Sequence, residues 1–180
     1  MTTTTNPDLR YPVGRFTAPE RVSADQRARF IAEIAAAPAA LRAAVRGLSD
    51  ARLDTLYRAD GWTVRQVVHH VPDSHLQAYV RIKLALTEEE PTIKPYLEPR
   101  WAELPEARSA PIEMSLVLLE ALHVRMVAAL ESLDDSLFSR RYTHPEYGRQ
   151  FSIDQTVALY AWHGRHHVAH ITALREREGW

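Results

Sequence analysis

Apolar positions recur at helical spacing in four stretches of the chain, and polar, proline-punctuated segments separate them. Alanine, leucine and arginine carry the first stretch from Ser23 to about Gly47. Ser23 and Gln26 stand at capping-box spacing, where a hydroxyl takes a first-turn N–H and a side-chain amide returns the bond. Pro38 lies inside this stretch and predicts a kink or split near Ala36, because proline removes one helix donor. The second stretch follows the Asp60-Gly61 turn, opens on another capping box, Thr63 and Gln66, and runs to about Leu86. Val64, Val67, Val68, Val71, Ala78 and Ile82 form its inward stripe. Pro72 predicts a bend just past His70. The third stretch opens at Ser109 and Pro111 and ends near Asp134 and Asp135. Its apolar positions are Leu116, Leu119, Ala121, Leu122, Met126, Ala129 and Leu130. The fourth runs from a third capping box, Ser152 and Gln155, to about Arg177, with Gly179 placed to end it.

The intervening segments lack this periodicity. Residues 1–22 contain Pro7, Pro12 and Pro19 and read as an extended arm. Residues 87–110 contain Pro91, Pro95, Pro99 and Pro105 and read as a long loop. Residues 142–148 read as a loop or short hairpin, and no set of strands is evident. At 180 residues, the chain is expected to be a single domain spanning 1–180. The expected architecture is all-α, an antiparallel four-helix bundle with an N-terminal arm and long inter-helix loops.

Composition narrows the function. Hydrophobic residues make up 46% and charged residues 25%, a globular balance rather than a disordered one. The net charge of -1 leaves no electrostatic footprint for nucleic acid. No apolar run of spanning length occurs, and the first residues lack the regions of a secretory signal, so a cytoplasmic location is expected. The chain has no cysteine, which excludes disulfides, thiolate metal sites and a cysteine nucleophile. Any thiol chemistry must use a thiol from outside.

Nine histidines are present, four of them between His163 and His170. Ile153, Val157, Tyr160, Gly164, Ile171 and Leu174 define the inward stripe of the fourth helix. His163 and His167 fall on it, His170 lies at its edge, and His166 points well away. The i,i+4 pair sits about 6 Å apart along the axis. Two imidazoles so placed can share one metal ion at nitrogen–metal distances of about 2 Å. A third ligand would come from His69, His70 or His75 on the second helix or His123 on the third. His75 lies near the centre of its stripe, His70 at the edge and His69 largely outside, so periodicity ranks His70 and His75 equally. In place of the H-E-x-x-H of zinc proteases the chain has His163-Gly-Arg-His-His167. Gly164 at the glutamate position removes a built-in base and leaves either a close backbone approach or room over the metal. The competing expectation is a metal-free bundle with hydrogen-bonded core histidines.

The segments Trp62-Thr-Val-Arg-Gln-Val-Val-His-His70, Asp73-Ser-His75 and Tyr160-Ala-Trp-His-Gly-Arg-His-His-Val-Ala-His170 resemble the DinB-like superfamily, in particular its YfiT branch. Members of that branch are described as metal-dependent hydrolases and as bacillithiol S-transferases. The resemblance extends to Tyr11-Pro-Val-Gly14, Trp101, His144-Pro145 and Gly179-Trp180, and so to nearly the whole chain. It implies a metal held by His70, His163 and His167, one divalent ion per chain, zinc or nickel. Pro72 departs from the pattern and predicts a small shift of His70. A divalent ion on three neutral imidazoles would keep its charge and its open positions, as a Lewis acid does. With a low-molecular-weight thiol such as bacillithiol as co-substrate, it would promote transfer of that thiol to an electrophile. With water, the same site would be a hydrolase. A bundle that binds metal without catalysis is the further alternative. His123, Tyr160 and His170 are the candidate catalytic residues, and His75 and Asp73 are expected near the same cavity. Trp62, Trp101 and Trp162 are expected to pack. Most arginines read as a solvated surface, though those near the loops are available for the carboxylates of a thiol, with none singled out. The resemblance also implies a homodimer acting on small molecules, while the net charge and the lack of a spanning run leave neither nucleic acid nor membrane as an expected partner.

Overall fold

The protein is described here from a computed structural model over residues 8–180; the first seven residues of the expected arm lie outside the described residues. In chain order the elements are α1 (Ala24–Val45), α2 (Asp50–Leu53), α3 (Val64–Thr87), α4 (Glu98–Trp101), α5 (Pro105–Ser109), α6 (Glu113–Glu131), β1 (Arg141–His144), β2 (Arg149–Ser152) and α7 (Ile153–Glu178). Three of the long helices begin where capping chemistry places them. Ser23, Thr63 and Ser152 each accept the N–H three residues on, and Gln26, Gln66 and Gln155 return the bond. Gly179 ends α7 in the left-handed region, with φ 67°. None of the helices among the described residues is long and apolar enough to cross a membrane.

Several boundaries differ from expectation, each for a physical reason. Neither Pro38 nor Pro72 splits its helix; α1 and α3 continue through both. The third bundle helix starts at Glu113, because the Ser109 hydroxyl turns back to the Pro105 carbonyl and closes α5 instead. It ends at Glu131, and a short 3-10 turn over Asp135–Ser139 follows. The segment 87–110 is not a bare loop. It holds α4 and α5, and Thr92 bridges to Thr143. Residues 141–152 form an antiparallel hairpin pairing Arg141 with Ser152 and His144 with Arg149.

The four long helices form the bundle, and cross-contacts give their directions. Arg27 meets Asp154, Gly164 faces Ala37, and Arg175 reaches the Ala44 carbonyl, so α1 and α7 run parallel. His69 meets Ser115 and His75 meets His123, so α3 and α6 also run parallel. The pairs α1–α6 and α3–α7 are antiparallel, as shown by His123 with Ile34 and Glu113 with Arg42, and by His70 with His167 and His75 with His163. Two consecutive bundle helices can run parallel only if the chain returns along the bundle between them. Residues 88–112 make that return, which accounts for their length.

The apolar core is in two parts. One gathers Ile34, Ala78, Ile82, Met126, Leu130, Tyr142, Phe151 and Val157. The other gathers Leu41, Val64, Val68, Leu116, Leu119, Ile171 and Leu174. Between them, on α3, α6 and α7, lies a layer rich in histidine.

Candidate metal centre

His70 on α3 and His163 and His167 on α7 each offer one ring nitrogen to a common point, all within 4.8 Å of one another. His163 Nε2 lies 3.4 Å from His70 Nε2 and 3.2 Å from His167 Nε2. Donors about 2.05 Å from a tetrahedral ion are separated by about 3.3–3.4 Å, the edge of the coordination tetrahedron. The two short contacts have that length.

Hydrogen bonds behind these histidines decide which nitrogens carry protons. A carbonyl only accepts, so the Ile34 oxygen fixes His123 Nδ1 as a donor, at 2.6 Å. His123 Nε2 then accepts from His75 Nδ1 at 2.8 Å, and His75 Nε2 accepts from His163 Nδ1 at 3.1 Å. His163 Nε2 is left with a bare lone pair. A second chain has the same logic. His170 Nε2 donates to the Arg10 carbonyl at 3.2 Å, and His170 Nδ1 accepts from His167 Nδ1 at 3.4 Å. His167 Nε2 is therefore also bare. Two acceptors face each other across 3.2 Å with no proton between them. That arrangement repels itself without a cation and suits one well.

Burial keeps the rings neutral. It pushes His70 down to about 4 and holds His163 and His167 well below the ordinary imidazole range, with neighbouring histidines adding repulsion. Neutral imidazole is the form that binds metal.

The local sequence explains the inner chain. Pro38 has no N–H, so the carbonyl four residues earlier, Ile34, loses its helical donor and is free for His123. Gly164 lets α1 come close: a Cβ there would sit 3.1 Å from the Ala37 Cβ. The glutamate position of the protease motif is thus taken up by helix packing, not by room over the metal.

Residues 25–171 match the DinB superfamily. The chain belongs to the DinB superfamily. It is 50% identical over 173 residues, 96% of this chain and 99% of the relative, to a Bacillus mycoides (strain KBAB4) protein whose name proposes a metal-dependent hydrolase. A Bacillus cereus (strain 03BB102) relative with the same proposed name is 51% identical over 173 residues, with the same coverage. Among solved structures it is similar to YfiT from Bacillus subtilis, described as a probable metal-dependent hydrolase with an unusual four-helix bundle topology. That match has a TM-score of 0.94 and 45% identity, over 96% of this chain and 98% of the other.

In this DinB bundle the three converging histidines line a cavity of about 480 Å³ between α3, α7 and the β1–β2 hairpin. Trp62 covers His70, with ring centroids 4.7 Å apart. Trp162 stacks on His166 at 4.3 Å and donates its indole N–H to the Gly14 carbonyl. Both indoles line the cavity besides packing, whereas Trp101 lies outside it against Tyr96. Tyr160 also lines the cavity, and burial pushes its hydroxyl up to about 12.

The remaining expectations sort by contact. His123 does not face substrate; it is 1% exposed, and both its nitrogens are bonded. His75 stands behind His163 instead of beside His70. His170 supports His167 and stacks on Tyr57 at 4.0 Å. His69 bonds Ser115 and the Ala110 carbonyl, away from the centre. Asp73 is absent from the cavity lining and is pushed up to about 6 by burial and by Glu106. His166 does not point to solvent; it is buried under the arm beside Tyr11 and lines the cavity. Arg81 and His144 also line the cavity and were not foreseen as site residues.

Proposed function

We propose that His70, His163 and His167 hold one divalent ion, zinc or nickel, and that the protein transfers a low-molecular-weight thiol such as bacillithiol to an electrophile. The observation that carries the choice of nucleophile is the cavity wall. Among the described residues that line it, Glu98 is the only carboxylate, and it is exposed. Water needs strong activation, and hydrolytic zinc sites commonly add a carboxylate base. A thiol has a pKa of about 8.5 and needs far less help. When bound, a divalent ion supplies Lewis acidity that lowers the pKa of a coordinated thiol or water.

The residues around the centre then have definite tasks. His75 and His170 hold the two α7 ligands in the neutral, outward-facing tautomer. Trp62 and Trp162 give the cavity apolar wall beside His70 and under the arm. The cavity has the size of a small-molecule site. In the transfer, a C–S bond forms as the leaving group departs with its electron pair, and the thiol proton passes to solvent.

Hydrolysis at the same centre is the second reading, and the names of the Bacillus relatives favour it. The test is turnover of 1-chloro-2,4-dinitrobenzene by zinc- or nickel-loaded protein with and without added thiol, beside His163→Ala. Thiol-dependent formation of the thioether, lost in the variant, is the expected result. Ester or amide cleavage that ignores thiol would replace this reading with the hydrolase. We further read 1–180 as a single metal-binding domain, active in the cytoplasm as a homodimer. The exposed Met114, Val117 and Val124 on α6 support the dimer, which sedimentation tests.

A further inference from the structure

Arg81 stands eleven residues past His70 on α3, which is three turns on and the same helix face to within about 20°. Both side chains line the cavity, with Ser74 between them. Arg81 is 8% exposed, and its Nε finds no hydrogen-bond partner. The other two buried arginines behave differently. Arg27 is clamped by Asp154 and Asp135, and Arg65 by Asp54 and Asp50. Among the described residues no carboxylate pairs with Arg81. Beside it, His144 Nδ1 on β1 is also buried, unpartnered and in the cavity wall. A buried guanidinium without a counter-charge is costly, and its planar fork matches a carboxylate.

We propose that Arg81 anchors a carboxylate of the substrate, with His144 beside it, so that the site takes a small molecule with an anionic group at one end and its reacting atom at the three histidines. This rests on the reading of the site as a metal-dependent enzyme and names its substrate class. The two Cα atoms lie about 16 Å apart by helix rise, and helical side chains lean toward the N-terminus, here toward His70. A chain of several bonds bridges what remains; a two-carbon acid does not. The hairpin, which supplies His144, Tyr147 and Phe151, closes this end of the cavity.

The test is calorimetric titration of 6-mercaptohexanoate and 6-mercaptohexanol into zinc-loaded protein. The acid is expected to bind about ten-fold tighter or more. Arg81→Met should reduce that preference to below about two-fold with zinc content unchanged, and Arg81→Lys should keep part of it. Equal binding of acid and alcohol by the wild type overturns the proposal, and so does a full preference in Arg81→Met. Should Arg81→Met not fold, Arg81→Lys and the wild-type comparison still decide. Hexanoate and hexanol on metal-free protein read the arginine alone. A preference for hexanoate that Arg81→Met removes, in protein that takes up no zinc, would keep the anchor and discard the metal reading.

Discussion

Two chains of histidines reach the same centre and end in different places. The inner one passes from His163 through His75 and His123 to a carbonyl within α1, over bonds of 3.1, 2.8 and 2.6 Å. The outer one passes from His167 through His170 to a carbonyl of the arm, over 3.4 and 3.2 Å. The chemistry is the same: a terminal carbonyl sets the tautomer of every ring before it. The mechanics differ. Opening the inner chain requires bundle helices to part. Opening the outer chain requires only that the arm lift, and segments with few buried contacts open locally at low cost. One histidine of the proposed centre is thus held by the core and another by a segment that can yield.

The largest effect should come where both chains meet. His163→Ala removes the nitrogen shared by the two short contacts, and metal content measured by plasma mass spectrometry should fall from about one ion per chain to near zero. Next comes His75→Ala, which leaves His163 Nδ1 without an acceptor in a buried layer. Zinc affinity should fall by about 10–100-fold, as for other residues that orient metal ligands. His170→Ala should cost less than about ten-fold, because water can enter under the arm and accept from His167. Equal losses in the two variants, measured by competition with a chromogenic chelator, would erase the distinction between core and arm.

Acid should expose the same layer in metal-free protein. Burial holds His70, His166 and His170 at about 4, below the ordinary value near 6.5 that their rings regain on unfolding. Between those values the unfolded chain binds more protons than the folded one. Stability is therefore complete above about pH 6.5 and is lost as pH falls toward about 4. The melting temperature of the metal-free protein should fall steadily over that window. A flat profile would show that these rings titrate alike in both states.

The sequence already marks much of this arrangement. Three of the four long helices start at capping boxes because those signals are local, and His163 and His167 share a face because their spacing is helical. Periodicity alone ranks His70 and His75 equally, and only the family resemblance chooses His70. Periodicity finds the residue that points most directly inward, which is His75, and that residue supports the centre from behind. A residue that is to hold an ion must also face a cavity, and His70, at the stripe's edge, does. His166 escapes the same pattern for a related reason: the arm that buries it carries no periodic signal. α4 and α5, with four and five residues, are too short to show one. Arg81 shares the His70 face by simple arithmetic. Its significance appears only once it is seen that, among the described residues, no carboxylate pairs with it.

Pro38 should give the smallest effect. In the sequence it reads as a helix breaker; in the structure it frees the Ile34 carbonyl on which the inner chain ends. Pro38→Ala returns an N–H to that carbonyl. The oxygen has two lone pairs, so the His123 bond survives but is shared. The helix gains from losing a proline, whose interior cost is about 3 kcal/mol at most sites and less here, where α1 already accommodates it. The variant should therefore melt higher while zinc affinity falls by a few-fold at most. Stability and affinity moving in opposite directions would show that the proline serves the centre at the expense of the helix. A higher melting temperature with unchanged affinity would show instead that His123 holds its carbonyl whatever else binds there, and that the inner chain is set by α3 and α6 alone.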